Sequence, residues 1–251
     1  MQNHRTLILA VVAAALLLAQ APLFAQQASG GQPLPDIIGG GRPHGAHDPH
    51  VRLSADQQLK VALQHQAEGR SELAMATLDQ AIERSPEHAG LRAVRGSMYL
   101  QQRQVAKALE DLEMAVALDP ADTGALTNRA QAYRQFGRIP EALADLDQAL
   151  ALNPELVPAR FNRGAIRYSS GDYRLALEDF DYCIALDPHD AAPYFNRAAS
   201  RDALGDRTGA VEDLQRFVQL TDNDQWKETA NELLARWKAA GAAAVPAETP
   251  Q

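Results

Sequence analysis

Near the start of the chain, His44, His47, Asp48 and His50 bring three imidazoles and a carboxylate within seven residues. Such a set could ligate zinc, nickel or copper. The surrounding segment, 26–53, is rich in Gly, Pro and His and carries no sustained hydrophobic period. Nothing there would hold the ligands in place beforehand, so the entropy of ordering them would be lost on binding. The segment is read as a flexible linker. Metal binding through His44, His47 and His50 stays as an alternative function, and no metal or other cofactor is assigned.

A second set offers amide chemistry. Asn128, Asn162 and Asn196 follow one another at 34 residues. A carboxamide presents one donor group and one acceptor, which matches a peptide unit whatever its side chain. Beside this row lie Arg95, Arg129, Arg163 and Arg197, each followed sixteen residues later by Asp111, Asp145, Asp179 or Asp213. The first register has Val61 and Thr77 in place of both partners. Joint loss implies that arginine and aspartate pair with each other, so these arginines are excluded from a ligand site.

Signals for catalysis are poor. There is no Gly-rich phosphate loop, no Cys/His metal framework and no Ser/His/Asp set outside the repeating columns. The acidic pairs Glu110–Asp111, Glu178–Asp179 and Glu212–Asp213 recur with the same period and belong to the scaffold. The sequence predicts a protein that is not an enzyme.

The elements that position these residues follow from Pro86, Pro120, Pro154 and Pro188, also 34 residues apart. Each proline removes a helical N–H and clashes with the preceding turn, so it ends a helix at the same place every time. A period of this length marks a tandem array of helical hairpins. Five registers begin at Ala55, Ala89, Thr123, Val157 and Ala191. Ala74, Ala108, Ala142, Ala176 and Ala210 form a uniform column that lets two helix backbones approach closely. Seven residues on stand Ala81, Ala115, Ala149, Cys183 and Phe217, with Leu78, Leu112, Leu146, Phe180 and Leu214 between. These spacings predict an amphipathic helix. Gly69, Gly137, Gly171 and Gly205 suit the left-handed turn inside each hairpin, where the second register has Arg103.

The alanine columns, the small residues at Gly96 and Gly164, the tyrosines Tyr99 and Tyr133, and the terminal proline together resemble the tetratricopeptide repeat. The resemblance covers about two-thirds of the chain. It implies an all-α, right-handed superhelical solenoid of five helix-turn-helix repeats over 54–222, with the first helix of each pair lining a concave groove. Departures at His65, Arg84, Phe217 and Asp222 fall in the terminal repeats, which have one neighbour each. A capping helix is expected over 223–239, with Asp222 as its start signal and with Trp226 and Trp237 sealing the last repeat. A disordered tail is expected over 240–251.

In such arrays the asparagine column faces the groove and resembles the rows that hold an extended peptide backbone. Asn128, Asn162 and Asn196 are the expected backbone contacts, and Gln131, Arg134, Phe161, Tyr168 and Phe195 the neighbours that supply polar contacts and aromatic anchors. The lysines and arginines of a two-carboxylate clamp are missing, with Leu59, Ala93, Thr127, Pro158 and Ala192 in their place.

The first 25 residues have a short basic opening, an apolar run from Leu7 to Ala19 and a small residue at Ala25. That is the layout of a secretory signal peptide. Export to a periplasm is expected, with no integral membrane span after cleavage. Membrane anchoring by an uncleaved segment is the alternative. One cysteine, Cys183, excludes an intramolecular disulfide, and it is read as a small buried hydrophobe. A net charge of −8 without a basic cluster argues against nucleic acid and anionic membranes. The expected function is a scaffold of the cell envelope with a peptide or protein partner in its groove; the rival is an assembly subunit using its convex face or end cap.

Overall fold

The computed structural model describes residues 53–243. The expected signal peptide, nearly all of the linker with its histidines, and the last eight residues lie outside the described residues. Eleven helices, and no strand among the described residues, make the fold all-α. They are α1 (Ala55–Ala67), α2 (Ser71–Arg84), α3 (Ala89–Gln101), α4 (Val105–Leu118), α5 (Thr123–Gln135), α6 (Ile139–Leu152), α7 (Val157–Ser170), α8 (Tyr173–Leu186), α9 (Ala191–Ala203), α10 (Arg207–Leu220) and α11 (Asp224–Ala243).

The helices begin and end at the recurring signals. Ser54 and Gln57 close a capping box on α1, each side chain bonding the other's backbone N–H. Asp122 and Asp190 accept from the N–H groups of Ala125 and Ala192 at the starts of α5 and α9. α2, α4, α6 and α8 all stop two residues before their proline. In the hairpin turns Gly69, Gly137, Gly171 and Gly205 have φ of 73°, 73°, 90° and 88°, and Arg103 takes the same left-handed geometry at 59°. The second hairpin therefore keeps the turn with a side chain that crowds it.

The described residues form two compact units, one ending at Leu152 and the other beginning at Asn153. In the N-terminal unit α1/α2, α3/α4 and α5/α6 pack as hairpins. α2 also packs on α3 and α4 on α5, so that α1, α3 and α5 lie side by side. Ala74, Ala108 and Ala142 are fully buried, as are Leu78, Leu112 and Leu146. At Gly96 the approach is closer still, since a Cβ there would stand 2.7 Å from Leu112 Cγ.

The C-terminal unit repeats this arrangement with α7/α8 and α9/α10 and adds α11 against α10. Phe180 takes the leucine position and Gly164 makes room for it, because a Cβ there would lie 2.9 Å from the Phe180 ring. Cys183 and Phe217 stand in an alanine column, and both are buried. Trp226 and Trp237 of α11 pack into the core that contains Phe217. α11 thus seals the last hairpin as a cap.

Two details of the cap differ from the sequence expectation. Asn223, and not Asp222, caps α11, accepting from the Trp226 N–H at 3.0 Å, because its oxygen stands at the three-residue spacing that a cap requires. The helix also runs past 239 into the expected tail as far as Ala243, where the alanines at 240, 242 and 243 favour helix and outweigh Gly241.

Candidate interaction groove

All eight candidate groove residues lie on first helices. Asn128, Gln131 and Arg134 are on α5, Phe161, Asn162 and Tyr168 on α7, and Phe195 and Asn196 on α9. What positions these helices is the arginine–aspartate pairing. Arg95 meets Asp111 at 2.7 and 2.8 Å, Arg129 meets Asp145 at 2.8 and 2.7 Å, and Arg197 meets Asp213 at 2.8 and 2.5 Å. Arg163 bonds Asp179 at 3.1 and 2.7 Å. Each pair joins the first helix of a hairpin to its second. The bonded aspartates raise Arg95 and Arg129 above the ordinary guanidinium value, against the effect of burial.

The arginines do more than close their own hairpin. Arg95 also reaches Asp79 on α2 at 2.8 Å, and Arg197 reaches Asp181 on α8 at 2.6 Å. The sequence signal for this second contact is an acid sixteen residues before the arginine. Around Asp179 the charge is concentrated further. Arg167 bonds it at 2.8 Å, and Arg160 stands 3.9 Å away with its guanidinium 3.7 Å from the centre of the Tyr182 ring.

The asparagine row is more buried than its groove column suggests. Asn128 is 2% exposed and Asn196 is 1% exposed. Asn162 and Asn196 each donate their amide to the carbonyl four residues back, at Pro158 (2.9 Å) and Ala192 (3.0 Å). Their nitrogens therefore satisfy their own helix, leaving Oδ1 as the side-chain atom not committed to it. Asn196 Oδ1 and Asn128 Nδ2 are buried without a hydrogen-bond partner among the described residues. An orphaned polar group of this kind costs roughly 1–3 kcal/mol.

The three aromatic residues are core side chains. Phe161 meets Phe180 edge-on at 5.7 Å, and Tyr168 packs on Tyr173 at 5.4 Å. Burial pushes the Tyr168 phenol up to about 12. Phe195 lies between Phe217 at 5.0 Å and Trp226 at 6.0 Å, so the cap covers it. No column of the sequence carried that last contact, because α11 stands outside the repeat. Gln131 is buried and Arg134 half-buried. Among the described residues Arg134 has no hydrogen bond or ion pair, and burial lowers its pKa.

A family profile described as "Tetratricopeptide repeat" matches residues 98–157 and 131–192, and a second with the same description matches 60–123. Together they span 60–192, more than half of the chain. The chain belongs to the tetratricopeptide repeat family. Proteins of this family are interaction scaffolds, and the helical hairpins of both units are tetratricopeptide repeats. No curated protein sequence matches the chain. Among solved structures, the MamA protein is 18% identical with a TM-score of 0.57, covering 78% of this chain and 98% of its own. YrrB, described as a tetratricopeptide repeat protein with an unusual peptide-binding site, is 21% identical with a TM-score of 0.58, covering 71% and 92%. A tetratricopeptide repeat protein from Parabacteroides merdae is 21% identical with a TM-score of 0.60, covering 77% and 81%. These likenesses are of fold.

Among the described residues no group of three or more His, Cys, Asp or Glu is arranged to hold a metal ion. No described helix is long and apolar enough to cross a membrane.

Proposed function

We propose that this tetratricopeptide repeat protein is a non-enzymatic scaffold of the cell envelope that holds an extended peptide or protein segment along its first helices. The observation that carries the reading is an orphaned carboxamide atom on a first helix in each unit taken by itself, Asn128 Nδ2 on α5 and Asn196 Oδ1 on α9. One is a donor and the other an acceptor, the two groups a peptide backbone complements. The peptide-binding site in the description of YrrB supports the same use of the fold. Phe161, Tyr168 and Phe195 serve as the packed support beneath. The signal-like residues 1–25 favour export to a periplasm.

One observation favours the rival convex-face reading. Leu118, Leu152 and Leu186 share a column at the ends of second helices and remain 38%, 50% and 46% exposed. An array of immobilised 12-residue peptides, followed by calorimetry on those retained, separates the two. Asn162→Ala with Asn196→Ala should weaken binding at least tenfold, about 1.4 kcal/mol, with helicity unchanged. Equal binding by the double variant, or no peptide retained by the native protein, turns the assignment to the convex face.

A further inference from the structure

Within the N-terminal unit, Arg134 is an anomaly among its neighbours. Arg92, Arg95 and Arg129 each touch an aspartate. Arg138, four residues on from Arg134, bonds Glu141. Arg134 is half-buried and touches no carboxylate among the described residues. A guanidinium carries five N–H donors and cannot give up its charge, so partial burial without a counter-ion is costly.

Three ordinary explanations are closed. The first is a carboxylate nearby on the same face. Neither α5 nor α3, which lies beside it, contains an aspartate or glutamate. The second is the usual role of an arginine in a last helical turn, bonding the free carbonyls there. Those carbonyls are already taken. The Ala132 and Tyr133 oxygens accept from Phe136, Tyr133 accepts from Arg138 as well, and the Arg134 oxygen accepts from Gly137. The third is stacking on an aromatic ring. The rings of this unit that carry cations have Arg95, Lys107, Arg129 and Arg138 over them.

Along the same helix, Gln131 and Asn128 precede Arg134 at steps of three, spread over about 9 Å of helix. Asn128 contributes the orphaned Nδ2, 98% shielded from solvent as part of its side chain. The α5 face therefore offers a run of uncommitted donors that ends in a full positive charge.

We propose that Arg134 takes the side-chain carboxylate of a single aspartate or glutamate in the bound segment, supplying the counter-charge that the protein does not. This rests on the groove reading above and names its partner more narrowly. The occupant is an extended segment with one acidic residue among neutral ones. A run of acids is disfavoured, because the chain as a whole carries −8 and would repel it. One bidentate arginine–carboxylate contact is strong and directional enough to set the register in which the segment lies.

The test uses the full chain, and two matched libraries of 12-residue peptides with amidated C-termini. Each peptide in one library has a single glutamate among neutral residues, and glutamine replaces it in the other. The native protein should retain a subset of the glutamate peptides and bind their glutamine counterparts at least tenfold more weakly. Arg134→Gln should erase that difference, and Arg134→Lys should keep part of it. In the free protein, Arg134→Met should raise the melting midpoint by about 2–4 °C, because it removes a desolvated charge with no partner. If peptides bind but glutamate and glutamine are equivalent, the carboxylate contact is overturned and the groove reading stands. Binding that requires a free C-terminal carboxylate overturns the side-chain assignment. If neither library is retained, both readings fall together. A lower midpoint for Arg134→Met shows that the arginine already has a partner.

Discussion

Arg129 holds Asp145 by two parallel hydrogen bonds, Nε to Oδ2 at 2.8 Å and Nη2 to Oδ1 at 2.7 Å, and so ties α5 to α6. Asp145 is buried, and among the described residues no second arginine bonds it. Asp179, by contrast, is bonded by Arg163 and Arg167, with Arg160 close by.

The two aspartates should therefore respond differently to loss of their arginine. Arg129→Ala should destabilise the protein by about 1–3 kcal/mol by stranding a buried carboxylate. Arg163→Ala should strand Asp179 less, because Arg167 remains. Urea unfolding of Arg129→Ala, Asp145→Ala and the double variant gives the coupling energy. Fully additive losses would show that the pair does not interact.

Gly164 should not tolerate a methyl group. Its Cβ would meet the Phe180 ring at 2.9 Å and Asp179 Cβ at 3.0 Å. Gly164→Ala should cost about 1–3 kcal/mol through overpacking. Adding Phe180→Leu should recover part of that, since Ala130 and Leu146 coexist, both buried, in the third hairpin. Thermal unfolding of the two variants checks both statements, and an unchanged midpoint for Gly164→Ala would refute the first.

Arg103 sits at φ 59° where the other four hairpins have glycine. Arg103→Gly should stabilise the protein by about 1 kcal/mol, the order of the left-handed penalty for a residue with a Cβ. A differential melting experiment at fixed protein concentration is sufficient. A lower midpoint would mean that the arginine side chain contributes more than its backbone costs.

Cys183 should be inert in the folded protein. Burial, aided by Asp179, pushes its thiol from 9.0 up to about 12. A chromogenic disulfide reagent at pH 8 should label it only after denaturation. The raised value also sets a sign. The native thiol keeps its proton where the unfolded one loses it, so stability present below pH 9 is lost as pH rises towards 12. Cys183→Ala should flatten that alkaline decline, and Tyr168, raised in the same direction, accounts for a residual slope.

Much of the scaffold was legible because the chain states it five times. Columns such as Ala74 to Ala210 can be read against one another, and the arginine–aspartate pairing followed from the joint substitution by Val61 and Thr77 in the first register. What repeats least was read least well. Asn223 lies outside the period, and its capping role depends on where α10 ends. The burial of Phe195 depends on Trp226, which belongs to no repeat. The asparagine row was visible as chemistry, but not the self-bonding of Asn162 and Asn196 to their own helices. A side-chain rotamer, unlike a hydrophobic face, leaves no periodic trace in the sequence.

The first hairpin has no arginine of its own at Val61, yet Asp79 receives one from Arg95. The linkage thus points backwards here, from the second hairpin to the first. Losing the first hairpin would leave Arg95 still chelated by Asp111, whereas losing the second would strip Asp79 of its guanidinium. The N-terminal edge is therefore a seam at which copy number can change with little electrostatic penalty, and a lineage or an engineer shortening this protein would do best to cut there.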